Sequence, residues 1–176
     1  MMIFDFLKSA VNLKTVSRQG WVEKLSIDNP ESVADHSYSM AVMGMVISDL
    51  GNFNTEKILK MILLHDLAET KVGDYTPGKI SYEKKKELEN IAFSEIVEKL
   101  PTNIKLEYLK IWQEYQEKNS SESKMVHQID KLEMALQARS YQQKGHYKEI
   151  ESFFESAKKE ITDPKLKELF RQILEE

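Results

Sequence analysis

Four residues of the types that bind divalent cations stand in three separate stretches of this chain: His36, the pair His65-Asp66, and Asp130. His65 continues the apolar stripe of Ile58, Met61 and Ile62 at helical spacing, so it is expected to face an interior. Asp66 follows four apolar residues in a row and His65, and a carboxylate there is costly to bury unpaired. A divalent cation would satisfy both groups. Imidazole with carboxylate suits a borderline transition metal, and oxygen ligands suit harder ions. Taken singly, each residue also has a plain structural reading: a packed core histidine, or Asp130 as an ion-pair partner of Lys131. Helical bundles join ligands that are distant in sequence, so spacing alone does not decide.

The elements that must position these residues read as helices nearly throughout. Phe4, Leu7, Val11 and Val16 mark a short first helix, followed by a polar connection over 17–29 that holds Arg18, Gly20 and Trp21. Asn29-Pro30-Glu31 reads as an N-cap, a proline at the first helical position and an early acid. That helix should run to about residue 50 and stop at Gly51-Asn52. Residues 55–69 read as the next helix, and 72–78 as the one clear loop cluster. Ser81 should cap a helix over 82–100 with Leu88, Ile91, Ala92, Glu95 and Ile96 on one face, ended by Pro101. Further helices are expected over 104–117, 121–141 and 147–161, with a turn at 144–146. Asp163-Pro164 should open the last, with Leu166, Leu169, Phe170 and Ile173 facing in.

Composition narrows the class. The 176 residues include 25 Lys or Arg and 29 Asp or Glu, a net charge of −4, which argues against a protein that coats nucleic acid. An apolar share of 41% excludes a disordered chain. Six Gly and four Pro disfavour a turn-rich β-sandwich, and the absence of Cys excludes disulfides, zinc fingers and thiol nucleophiles. No apolar run approaches the roughly 18 residues of a membrane span, and no signal peptide is read at the start, so a cytoplasmic setting is expected. No repeat, low-complexity stretch or internal boundary is visible. The expectation is one all-α domain over residues 1–176.

The order His36, His65-Asp66, Asp130 resembles the H…HD…D pattern of the HD superfamily of metal-dependent phosphohydrolases. The flanking stretches narrow the likeness. Arg18-Gln19-Gly20-Trp21, Glu31-Ser32-Val33-Ala34-Asp35-His36-Ser37, His65-Asp66-Leu67-Ala68-Glu69 and Val72-Gly73-Asp74-Tyr75-Thr76-Pro77 are similar to one branch, the HD-domain 5′-deoxynucleotidases. So are the stretch 109–115 and the run from Ser123 through Asp130-Lys131-Leu132-Glu133-Met134 to Ala138. The likeness spans residues 13–173, and it implies an HD-domain helical bundle.

The resemblance also implies roles. His36, His65, Asp66 and Asp130 would bind a divalent cation, with cobalt, manganese or magnesium the usual ones in that family. Glu69, four residues after His65, would share its helix face and either orient the attacking water or bind a second cation. Its plain reading is a solvated carboxylate near a helix end, though an acid there opposes the helix dipole. Asp74 would hold the sugar, protonate the leaving oxygen or join Glu69 at the second cation; as a plain turn-former it also suits its loop. Arg18 would clamp the phosphate through paired, charge-assisted hydrogen bonds. Trp21 would pack on sugar or base, or else serve the core. Tyr75, Thr76, Pro77 and Lys79 are nearby candidates for substrate contacts. His127, His146, the Tyr108/Trp112/Tyr115 stripe and the Lys84-Lys85-Lys86 run read as ordinary packing, turn and surface residues.

The implied activity is release of phosphate from deoxynucleoside 5′-monophosphates, by a homodimer, with no nucleic-acid polymer or membrane as partner. Another HD phosphohydrolase, acting on cyclic nucleotides, alarmones or nucleoside triphosphates, shares the same ligands. A helical scaffold that keeps the metal pocket for structure alone is the reading from a different class; Arg18, Glu69 and Asp74 argue against it.

Overall fold

The computed structural model describes residues 2–176. They form α1 (Met2–Asn12), α2 (Gln19–Leu25), α3 (Val33–Gly51), α4 (Thr55–His65), α5 (Glu69–Val72), α6 (Tyr82–Val97), α7 (Thr102–Glu117), α8 (Ser121–Gln143), α9 (Glu151–Glu160) and α10 (Pro164–Glu175), with a 3₁₀ turn at Leu13–Thr15. The expected all-α class holds: among the described residues the only β pairing is an isolated bridge between Ser17 and Ser32. Among the described residues no helix is long and apolar enough to cross a membrane.

Side-chain caps start α3, α4, α6, α8 and α10. Asn54 accepts from the Lys57 amide, Ser81 from the Lys84 amide, and Asp163 from the amides of Lys165 and Leu166 with Pro164 at the first helical position. Ser32 and Asp35 form a reciprocal capping box, so α3 begins at Val33 rather than at Pro30. Residues 16–18 and 31–33 are tied by backbone bonds instead, Arg18 N–H to Glu31 O at 3.1 Å and Val33 N–H to Val16 O at 2.8 Å.

Three further expectations change. The connection over 17–29 contains α2, because Trp21 and Leu25, four residues apart, bury one side of a short helix. The expected helix over 55–69 breaks: α4 ends at His65, and α5 begins at Glu69 after a buried turn through Leu67 and Ala68. The helix dipole argument for Glu69 therefore reverses, since it starts a helix rather than ending one. Helix α9 begins at Glu151, not 147, following a left-handed Glu149. Ile91, Glu95 and Leu169 are exposed; Ala92, Phe93, Ile96 and Val97 supply the inner face of α6.

Helix α8 runs through the middle and packs against α3, α4, α7, α9 and α10. Its inner residues Met125, Val126, Ile129, Leu132, Ala135 and Ala138 join Met40 of α3 and Ile58, Met61 and Ile62 of α4 in one core. Gly44 lets α3 and α4 close on each other: a Cβ there would overlap Ile62 Cδ1 and stand 3.1 Å from Ile58 Cγ2. These three helices carry the four expected cation ligands.

Candidate active site

His36 lies on the first turns of α3, His65 and Asp66 at the end of α4, and Asp130 on α8. Asp66 Oδ2 is 3.0 Å from His65 Nε2 and 3.9 Å from His36 Nε2, and Asp130 Oδ1 is 3.3 Å from His36 Nε2. Both imidazoles are buried. Their second nitrogens are already committed. His65 Nδ1 is 2.6 Å from the Ile62 carbonyl oxygen, which can only accept, so Nδ1 carries the proton. His36 Nδ1 donates to Glu133 Oε2 at 2.6 Å. Each Nε2 is buried and without a hydrogen-bond partner. Two orphaned imidazole nitrogens facing carboxylate oxygens fit a divalent cation, and the oriented Nδ1–H bonds are the usual support for such ligands.

The carboxylates behave accordingly. Burial works against charge on Asp66, but His65, Arg18 and His36 hold it well below the usual range. Asp130 is likewise held down against its burial, by Lys131 at 3.0 Å and by His36. Burial and Arg18 oppose a proton on His36, yet Asp130 and Glu133 push its pKa up to about 9. A cation at that nitrogen therefore displaces a proton. Behind Glu133, burial and the Glu133 charge push Glu31 up to about 7, while Trp21 Nε1 donates to its Oε1 at 2.8 Å.

A cavity of about 520 Å³ opens over this cluster. Arg18, His65, Asp66, Glu69, Asp74, Tyr75, Thr76, Pro77 and Asp130 all line it. Arg18 Nη1 is 3.6 Å from Asp66 Oδ2. Burial opposes the guanidinium's charge, and Asp66, Asp130, Asp74 and Glu69 hold it protonated well above the ordinary range. Glu69 is buried with Oε2 unpartnered; burial, then Asp66 and Asp74, push its pKa well above the carboxylate range. Gly73, at φ 80°, turns the chain out of α5 so that Asp74 Oδ2 can accept from the Gln19 amide at 2.8 Å.

Some expected contacts are differently employed. Trp21 borders the cavity but is 1% exposed, stacked on Phe153 with ring centres 4.2 Å apart and edge-on to Tyr141. It serves the core, and little of it is free to meet a ligand. Thr76 donates to Glu23 Oε2 at 2.7 Å, and Lys79 pairs with Glu23 Oε1 at 3.2 Å. Lys79 is not among the residues lining the cavity.

The HD-domain family model matches residues 10–173. This chain belongs to the HD-domain family. Relatives of the HD-domain protein include a 5′-deoxynucleotidase HDDC2 of Dictyostelium discoideum, 39% identical over 96% of this chain and 95% of the relative. The human protein of the same name is 36% identical over 97% of this chain and 84% of its own, and Schizosaccharomyces pombe 5′-deoxynucleotidase hdd1 is 36% identical over 100% and 90%. Among solved structures, a conserved hypothetical protein from Pyrococcus furiosus matches with a TM-score of 0.84 and 29% identity over 98% of this chain and 99% of that one.

Three residues of the HD-domain site were not singled out from the sequence. Glu133 is legible in retrospect, as an acid one helical turn after Asp130 among Leu132, Met134 and Ala135. Tyr115 is not: within a helix stripe nothing marks it, yet it lies edge-on to His65 at 5.6 Å and stacks on His127 at 4.1 Å, both lining the cavity. Lys85 also lines the cavity. Glu133→Gln should weaken cation binding about 10–100-fold, since support of a ligand histidine is lost while the four ligands stay. Calorimetric titration of metal-stripped protein checks this; unchanged affinity would sink the supporting role.

Proposed function

We propose that this chain is a metal-dependent 5′-deoxynucleotidase that hydrolyses deoxynucleoside 5′-monophosphates to deoxynucleoside and phosphate. The observation that carries the reading is the pair of buried, unpartnered Nε2 atoms of His36 and His65, facing Asp66 and Asp130 under a cavity walled by Arg18 and Glu69. Relatives named 5′-deoxynucleotidase that align over nearly the whole chain supply the substrate class.

His36, His65, Asp66 and Asp130 would hold the principal cation. The chemistry supplied there is Lewis-acid chemistry: phosphoryl charge is offset and water is acidified at neutral pH. The chain's own residues do the rest. Arg18 takes the non-bridging phosphate oxygens, its planar fork matching them in pairs. Glu69 Oε2, unpaired and with a raised affinity for protons, accepts the proton of the attacking water. A new P–O bond forms as the P–O5′ bond breaks, and the leaving O5′ takes up a proton from Asp74 or solvent. One Asp74 oxygen is spent on the Gln19 amide, which fixes the loop and leaves the other for the sugar side. Glu69 and Asp74, both lining the cavity, are the donors a second cation would use. Tyr75, Thr76, Pro77 and Trp21 line the cavity beside them.

Cobalt, manganese and magnesium are the cations to try. A cytoplasmic homodimer belongs to the same proposal and rests on the family resemblance. The test is phosphate release by metal-stripped protein from matched ribo- and deoxynucleoside 5′-monophosphates, with each cation added back. Release from the deoxy series, and only with metal, is the expected outcome. Turnover confined to cyclic or polyphosphate nucleotides would replace the reading with another HD phosphohydrolase. Cation binding without any hydrolysis would replace it with a scaffold.

A further inference from the structure

Lys85 is the charge in the cavity wall that local sequence disfavours most. It sits in the first turns of α6, its amide bonded to the carbonyl of the capping residue Ser81. A cation at that end opposes the helix dipole. Its side chain is also drawn in: 30% exposed, against 54% for neighbouring Lys84, which pairs outward with Glu87. The expectation of a solvated run over 84–86 is corrected at this residue.

The inward ammonium meets three partners from three elements. It donates to the Tyr75 carbonyl oxygen at 3.1 Å, and stands 3.6 Å from Glu69 Oε1 and 3.4 Å from Glu89 Oε1. It therefore links α5, the loop over 73–77 and α6 at one point. The split of Glu69 is informative. Oε1 faces Lys85, while Oε2 is buried with no hydrogen-bond partner. Two other acids crowd the same carboxyl, Asp66 and Asp74.

We infer that Lys85 is a positioning residue: by holding Glu69 Oε1 and the Tyr75 carbonyl, it keeps Glu69 Oε2 and the 73–77 loop in place over the cation ligands. The inference rests on the proposed phosphatase reading for its effect on turnover, but not for its effect on the loop. Lys85 acts through Glu69, so removing both groups should cost no more than removing Glu69 alone.

The experiment compares wild type, Lys85→Met, Lys85→Arg, Glu69→Gln and the Lys85→Met/Glu69→Gln double variant. Methionine keeps most of the side-chain volume without the charge; because taking one partner from a buried ion pair destabilises, the melting temperature of every variant is recorded, and Lys85→Arg keeps the charge. Lys85→Met should lower kcat about 10–100-fold with KM little changed, as expected when an interaction matters in the transition state. Lys85→Arg should recover part of that loss. In the Glu69→Gln background Lys85→Met should add no further loss. Hydrogen exchange of amides 73–76 should be faster in Lys85→Met than in wild type or Lys85→Arg, in protein free of substrate and metal. Multiplicative losses in the double variant, or a wild-type kcat in Lys85→Met, overturn the link through Glu69. Unchanged exchange overturns the loop anchor. If wild type itself hydrolyses no 5′-monophosphate, the activity reading has failed, and the exchange comparison still decides the anchor.

Discussion

Asp66→Asn is expected to abolish turnover and cation binding together while leaving the helices in place. Asp66 Oδ2 is the point where the cluster meets: His65 Nε2 at 3.0 Å, Arg18 Nη1 at 3.6 Å and His36 Nε2 at 3.9 Å. Asparagine keeps the shape and removes the negative charge that offsets a divalent ion. A loss of about a thousandfold or more in kcat/KM is expected, roughly 4 kcal/mol of transition-state stabilisation. The fold should survive, because Asp130, Asp74 and Glu69 still surround the Arg18 guanidinium and the backbone of residue 66 keeps its place after α4. Titration of metal-stripped protein reads the binding, and phosphate release after repletion reads the turnover. Wild-type turnover in repleted Asp66→Asn would remove the residue from the metal cluster.

Arg18→Ala separates phosphate recognition from cation binding. The guanidinium is a fixed positive charge in the cavity beside Asp66, and it sits there against the penalty of burial. Its loss should lower kcat/KM about 10²–10³-fold, the scale seen when one preorganised donor to a developing anion is removed. Cation affinity should hold or tighten, since a positive neighbour 3.6 Å from Asp66 has gone. Arg18→Lys should fall between, with charge kept and the paired geometry lost. The decisive comparison is Kd for the cation beside kcat/KM for the nucleotide in the same samples. Parallel loss of both would make Arg18 a support of the cation ligands rather than a phosphate clamp.

The parts of the fold legible in the sequence are those governed by local chemistry. Asp163-Pro164 and Ser81 start helices as read, and Asn52, left-handed at φ 58°, stops α3 after Gly51. What was not legible depends on partners far along the chain. The apolar run through Leu67 and Ala68 reads as continuing helix, but those residues are buried in a turn that ends α4 at His65. The stretch after Asn29 looks like a helix start until 16–18 is seen paired to 31–33. The site divides the same way. His65 was marked by its own stripe, whereas Lys85 is indistinguishable from Lys84 and Lys86 until Glu69 and the Tyr75 carbonyl are placed beside it. Tyr115 likewise gains its position only from His65 and His127.

The Ser17–Ser32 bridge has a consequence for how this chain tolerates change. Because 16–18 and 31–33 are stapled together by backbone bonds, the segment between them leaves and returns through one fixed gate. Arg18 stands on one side of that gate and the capping box that leads to His36 on the other. The exposed residues Asp28 and Asn29 lie inside the excursion, away from both. Lengthening a closed surface loop adds little free energy, with each doubling costing only about 0.6 kcal/mol. The excursion is therefore a cassette: chain added at 28–29 should leave Arg18 and His36 in register.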